Sequence, residues 1–135
     1  MIDLDFFKFI NDCYGREAGD CVLVELSRRW EKHVRSSDML ARIGGDEFCV
    51  LLNDATSDQA MIVAEKLRVA AAEHPVIYQC PPAGRQEIKV SVSIGIATST
   101  TVSGVLLDEI LQLADAALYE AKNTGRDHVV ARNLN

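Results

Sequence analysis

What the sequence is short of narrows the field first. No apolar run exceeds five residues (Ala60–Ala64 and Phe48–Leu52), and a bilayer-spanning helix takes about 20, so no transmembrane helix is expected. The N-terminus has no basic stretch followed by an apolar one, so no signal peptide is expected. A basic surplus is missing too. The 14 Lys and Arg stand against 20 Asp and Glu, a net charge of −6, which argues against a duplex-binding protein. There is no C-x-x-C and no H-E-x-x-H, so zinc chemistry has no ligand spacing to work with. A G-x-x-x-x-G-K-[ST] loop and a G-x-G-x-x-G turn are both lacking, which disfavours a P-loop nucleotidase and a Rossmann dehydrogenase. Cys13, Cys21, Cys49 and Cys80 sit in or beside apolar segments and read as free buried thiols in a reducing compartment. His33, His74 and His128 are scattered and read as surface or loop residues.

What is present suits one globular domain. The 135 residues are 48% apolar and 25% charged, a composition able to build one core and too apolar for a disordered chain. Ile2–Asp5 reads as the tail of a strand and Phe6–Tyr14 as a short helix stopped near Gly15. Gly19-Asp20 offers a helix start, followed by Val22, Leu23, Leu26 and Trp30 at helical spacing. Met39–Arg42 and Phe48–Leu52 read as strands joined through Gly44-Gly45-Asp46-Glu47, a hairpin signal. Thr56 or Ser57 caps a helix running to about Glu73. Cys80–Arg85 reads as a loop, from its prolines and glycine. Ile88, Val90, Val92, Ile94 and Ile96 alternate with Lys89, Ser91, Ser93 and Gly95, which predicts one half-buried strand. Leu106, Leu107, Ile110, Leu111, Ala114, Ala117, Leu118 and Ala121 mark an amphipathic helix that Gly125 ends, and Val129–Ala131 adds a last short strand. The mixture predicts an α+β fold, a sheet covered by helices.

Three acidic groups stand out: Asp3-x-Asp5, Asp46-Glu47 and Asp20. Asp3 and Asp5 share a strand face, and a hairpin lying beside that strand brings Asp46 or Glu47 close to Asp3. Carboxylates gathered in a partly buried place repel unless a cation or proton lies between them, and Mg²⁺ favours such oxygen ligands. The competing reading is a set of solvated strand-end charges. Gly44-Gly45 permits a tight turn and close approach of a ligand to the backbone. Lys122 and Arg126, four residues apart, either grip phosphates or offset the helix dipole. Arg35-Ser36-Ser37-Asp38 reads on its own as a helix-end charge pair.

Gly44-Gly45-Asp46-Glu47-Phe48 resembles the signature of the GGDEF family, the diguanylate cyclases. Asp3-Leu4-Asp5-Phe6-Phe7-Lys8-Phe9-Ile10-Asn11-Asp12 is similar to the family's D-x-D-x-F-K-x-x-N-D block. Tyr14-Gly15, Gly19-Asp20, Ser91–Ala97 and the last-helix residues Ala114-Asp115, Ala117–Tyr119, Ala121-Lys122 and Gly125-Arg126 match further blocks in order. The resemblance covers essentially the whole chain. It implies a mostly antiparallel central sheet flanked by helices, like the palm of nucleotide polymerases and adenylyl cyclases, with a ferredoxin-like core. It also implies condensation of two GTP into cyclic di-GMP and two pyrophosphates by a transient homodimer, each subunit holding one GTP. No nucleic acid polymer is implied as a partner.

The resemblance lays roles on residues. Asp3 and Asp46 would hold Mg²⁺ (or Mn²⁺), with the Leu4 carbonyl as a further ligand. Glu47 would bind a second metal or help deprotonate the 3′-hydroxyl. Substrate would be bound by Phe6 and Phe7 through backbone N–H groups at a helix start, by Lys8, by the Gly44-Gly45 turn, and by Lys122 and Arg126 on the phosphates. Asn11 and Asp20 would read guanine, whose donor edge adenine lacks. Asp5 receives no ligand role and is read as support for the site. Arg35 and Asp38 fall in the register of the family's product-inhibition site, with Lys66 where the family often has an arginine; lysine keeps the charge and loses the bidentate fork. The family's usual opening, a helix and a D-x-L-T-G-L-x-N-R block, is not in this sequence. Residues 1–135 therefore read as one domain lacking its N-terminal helix and the start of its first strand. The expected parent carries an upstream sensory or dimerising domain and lies in the cytoplasm, free or as the cytoplasmic part of a membrane-anchored protein. A second class of function stays open: a silent module that binds GTP or cyclic di-GMP.

Overall fold

The computed structural model describes residues 1–99 and 107–134. In chain order the elements are β1 (Ile2–Leu4), α1 (Phe7–Tyr14), α2 (Arg16–Glu31), β2 (Met39–Arg42), β3 (Glu47–Leu51), α3 (Ser57–Ala72), β4 (Val76–Cys80), β5 (Gly84–Ile88), β6 (Val92–Thr98), α4 (Leu107–Asn123) and β7 (Val129–Asn133). Five strands form one sheet in the order β2-β3-β1-β6-β7, and β4-β5 form a separate two-stranded sheet. Every pairing in the large sheet is antiparallel except β6 with β7, which the α4 crossover makes parallel. The expected α+β architecture is what forms.

The core is built where apolar residues of the helices meet the sheet. Trp30 is fully buried. Its ring meets Phe48 edge-on at 5.0 Å, and its indole N–H donates to the Leu67 carbonyl at 2.9 Å, so α2, α3 and β3 are tied at one residue. Arg29 forks into the exposed end of α3, donating to the carbonyls of Ala70, Ala71, His74 and Pro75 at 3.1, 3.3, 2.8 and 3.2 Å; those carbonyls lack helical partners. At its other end α3 starts in a capping box, Thr56 with Gln59. Gly95 lets α4 lie directly on β6, since a Cβ there would stand 2.2 Å from the Leu118 nitrogen and 2.3 Å from the Ala114 oxygen.

Several elements depart from expectation. The second helix begins at Arg16 rather than Gly19-Asp20, because Gly15, at φ 93°, separates it from α1 and Gly19 is needed inside the helix, where α1 presses on it. The strand read over Ile88–Ile96 is two strands broken at 89–91. Its second half is central, with Val92, Ser93, Ile94 and Gly95 all buried, and not half-exposed. The 80–85 loop is only the turn of the β4-β5 hairpin, whose polar, proline-bounded strands lack a clean apolar pattern. Leu106 lies outside the described residues. The cysteines are free as expected, but Cys13 is exposed and the other three only half-buried, because α1 buries Ile10 alone. His128 is half-buried in the loop between α4 and β7, a loop residue as expected.

Candidate functional site

Two of the acidic residues, Asp3 and Asp46, come together at the end of the central strand β1. β1 lies between β3 and β6, and Asp3 stands opposite Glu47 in the register with β3. The Leu4 N–H donates to the Asp46 carbonyl at 3.2 Å, which draws the hairpin turn onto the end of β1. Asp3 is 3% exposed, and its Oδ1 is buried without a hydrogen-bond partner. Its Oδ2 pairs with the Lys122 ammonium from the last turn of α4. Burial pushes the Asp3 carboxyl up to about 6; Lys122 opposes the shift and the neighbouring Asp46 carboxylate adds to it. A buried carboxylate with an orphan oxygen, beside a second carboxylate, suits a hard, oxygen-seeking cation that keeps some of its waters. Among the described residues no three His, Cys, Asp or Glu side chains gather as a metal-holding group. Glu47 therefore does not join Asp3 and Asp46; its Oε2 lies back against Gly44, 3.6 Å from where a Cβ would stand.

The Gly44-Gly45 turn has a clamp that the sequence did not reveal. The Arg42 guanidinium donates to the Gly44 carbonyl at 3.1 Å and to the Gly45 carbonyl at 3.2 and 2.8 Å. An arginine at the end of a strand looks like an ordinary edge charge, and only the folded turn shows what it holds.

The phosphate-binding candidates meet from two ends of the chain. Phe6 is the left-handed residue (φ 57°) that opens α1, so the first N–H groups of that helix face outward from the end of β1. Lys122 comes from α4 as expected. Arg126 does not share its helical face: α4 ends at Asn123, and Arg126 arrives through a turn in which its own N–H donates back to the Ala121 carbonyl at 3.0 Å. Its guanidinium lies over the Phe6 ring, 4.6 Å from the centroid. Asn11 rests on Gly19, where a Cβ would stand 1.8 Å from the Asn11 Oδ1; Asp20, the next residue along α2, is exposed, and so is Lys8.

Arg35 and Asp38 form a separate, self-satisfied group. Asp38 accepts from the Arg35 side chain at 3.0 and 3.2 Å and from the backbone N–H groups of Arg35 and Asn53 at 2.9 and 3.1 Å. The guanidinium holds the Asp38 carboxyl down at about 2. Arg35 also donates to the Asn53 carbonyl at 2.6 Å. Lys66 is exposed on α3. An apolar cleft of about 360 Å³, lined in part by Val50, Ala64, Ile94 and Leu111, contains none of the residues above in its wall.

Comparison with known proteins bears on this arrangement. Residues 1–128 match the family model described as diguanylate cyclase, GGDEF domain. The chain is 41% identical over 135 residues to diguanylate cyclase A of Treponema denticola, covering 100% of this chain and 35% of that protein. It is 37% identical over 132 residues to the response regulator PleD of Caulobacter vibrioides, covering 98% of this chain and 28% of that one. The chain thus spans about a third of the length of these curated relatives. Among solved structures, the GGDEF domain of DgcB from Caulobacter crescentus in complex with c-di-GMP superposes with a TM-score of 0.85 at 27% identity, over 96% of this chain and 74% of that one. The active GGEEF domain of a diguanylate cyclase from Vibrio cholerae does so with a TM-score of 0.85 at 29% identity, over 99% and 81%.

Proposed function

The chain belongs to the GGDEF-domain family of diguanylate cyclases, and from that premise we propose that it condenses two GTP into cyclic di-GMP. Two pyrophosphates leave, as each 3′-hydroxyl attacks the α-phosphate of the other nucleotide. The observation that carries the reading is the buried Asp3 carboxylate, with one oxygen unpartnered, beside Asp46 and within reach of Lys122. Asp3 and Asp46 are the residues that would hold Mg²⁺ or Mn²⁺, with the Leu4 carbonyl beside them. When bound, such a cation offsets charge on the attacking and leaving oxygens of phosphoryl transfer.

The chain's own groups do the rest. Lys122 and Arg126 neutralise the terminal phosphates, and the Phe6 and Phe7 N–H groups meet them at the start of α1. The Gly44-Gly45 turn, held by Arg42, leaves room for the nucleotide against the backbone. Asn11 and Asp20 accept and donate along the guanine edge; adenine would leave the Asp20 carboxylate without its two donors. Glu47, once swung away from Gly44, would bind a second metal or help to deprotonate the 3′-hydroxyl. One copy holds one GTP, so two copies must meet face to face around a two-fold axis for the reaction to occur. Product returns to the Arg35–Asp38 group, with Lys66 as a weaker third contact. The solved DgcB neighbour that contains c-di-GMP supports a product-binding reading. In the same reading the cytoplasm is the working compartment, and upstream modules of a longer protein bring the two copies together.

The test is mass spectrometry of products after concentrated protein meets GTP and Mg²⁺. Cyclic di-GMP is expected from the natural sequence and not from Asp46→Asn. Bound but unconverted GTP would overturn the cyclase reading in favour of a nucleotide-binding module.

A further inference from the structure

We propose that Asp5 is a positioning residue: its buried carboxylate locks the left-handed turn at Arg126–Asp127 and so aims the Arg126 guanidinium across Phe6 at bound phosphate. The inference deepens the reading above, on which its phosphate half rests.

Asp5 is 2% exposed, and its partners account for both carboxylate oxygens. Oδ1 accepts from the Ser93 hydroxyl at 2.6 Å. Oδ2 accepts from the Ser91 hydroxyl at 2.7 Å and from the Asp127 N–H at 3.0 Å. Its own N–H donates to the Ser91 carbonyl at 2.9 Å. Ser91 and Ser93 are two apart, so their hydroxyls leave one side of the chain together. Burying a carboxylate is costly unless its oxygens are satisfied, and here three donors from two distant segments converge to satisfy it. The Arg126 Nη1 stands 3.8 Å from Oδ1, close enough for attraction and too far for a direct hydrogen bond.

Three of the four left-handed non-glycine residues among those described lie around Asp5. Phe6, Arg126 and Asp127 have φ of 57°, 62° and 48°, conformations that side-chain-bearing residues avoid and that persist only where their surroundings enforce them. Asp5 precedes the first of these and bonds the last. The turn has other supports: the His128 Nδ1 lies 2.7 Å from the Arg126 carbonyl oxygen, and Arg68 pairs with Asp127 at 3.1 Å. Those groups fix the turn to itself and to α3. Asp5 alone among them ties it to β1, the strand that carries Asp3. Phe6, 62% exposed, is then the platform against which Arg126 is laid. Asp5 touches no phosphate; it acts through Arg126.

The test reads Arg126 with and without nucleotide. In the wild type the heteronuclear NOE of the Arg126 Nε–H should match that of ordered backbone, and it should collapse in Asp5→Asn, whose amide donors would face the Asp127 N–H or the serine hydroxyls. The same substitution should raise the dissociation constant for Mg·GTP about tenfold in the wild type, and less than about twofold in an Arg126→Ala background. An unchanged NOE, or equal weakening in both backgrounds, overturns the proposal. If Asp5→Asn loosens Arg126 while Arg126→Ala leaves GTP binding untouched, the phosphate assignment fails and the positioning half stands. Ser93→Ala and Ser91→Ala remove one donor each and are judged by the same criteria, so loss of folding in Asp5→Asn would not end the test.

Discussion

Asp3 carries the sharpest conflict between stability and use. Burial pushes its carboxyl up to about 6 from an ordinary value of 3.8. Between those values the folded chain binds more protons than the unfolded one, so this group's contribution to stability falls as pH rises through the window and is lowest above 6. Asp3→Asn should therefore stabilise the metal-free protein by about 1 kcal/mol at pH 7.5, with the gain vanishing towards pH 4. Urea denaturation at the two pH values checks it. Added Mg²⁺ should raise the midpoint of the wild type and not of the variant. Arg42 makes a second residue-scale prediction. Its guanidinium is exposed, so Arg42→Ala should cost less than about 1 kcal/mol in stability yet lower turnover about tenfold or more by freeing the glycine turn. Arg42→Lys should restore it poorly, since an ammonium keeps the charge and donors but lacks the rigid planar fork of the guanidinium. At this scale the acidic half of the site is legible in the sequence, because paired carboxylates announce themselves by type and spacing. Arg42 and the bonds of Asp5 are not, because their partners are backbone groups or residues about 90 to 120 positions away.

Two glycines show how elements meet, and they should respond oppositely to the same change. At Gly95 an added Cβ meets backbone atoms of α4, which can move only with their helix. Gly95→Ala should cost about 3 kcal/mol and weaken GTP binding as well, because Lys122 travels with α4. At Gly19 the Cβ meets the Asn11 side chain and, at 3.2 Å, the Phe7 ring, side chains of α1 that can shift where a helix backbone cannot. Gly19→Ala should leave the melting temperature unchanged or raise it, given alanine's gain of about 1 kcal/mol within a helix. It should also erode the preference for GTP over ATP by displacing Asn11, a proposed base reader. Differential scanning calorimetry alongside nucleotide competition separates the two outcomes. α4, through its apolar period, and α3, through its Thr56 cap, are readable from the sequence, as is the β2-β3 hairpin. The start of α2 is not, since an interior glycine mimics a boundary unless one knows that α1 packs there. The break at 89–91 is equally hidden: strict alternation runs through it, and only the bonds from Ser91 to Asp5 explain why pairing begins at Val92.

For the molecule as a whole, the fold class follows from the mixed pattern of elements. The parallel pairing of β6 with β7 follows only from the crossover between them. If two copies share the reaction, product formed per copy should rise in proportion to protein concentration at low concentration. The net charge of −6 makes copies repel at long range, so moderate salt should raise that rate by screening. A rate per copy independent of concentration would point to a preformed dimer. The place of β1 carries a consequence in time. It is three residues long and lies between β3 and β6, yet it leaves the ribosome ahead of both. At roughly 5–20 residues per second, some 5 to 20 seconds pass before its second neighbour emerges, and longer until Lys122 follows. Through that interval Ile2 and Leu4 have no finished sheet to enter and Asp3 has no ammonium beside it. Nascent chains halted before residue 92 should be captured by chaperones and cut readily by protease, and nucleotide should protect only chains released beyond residue 126.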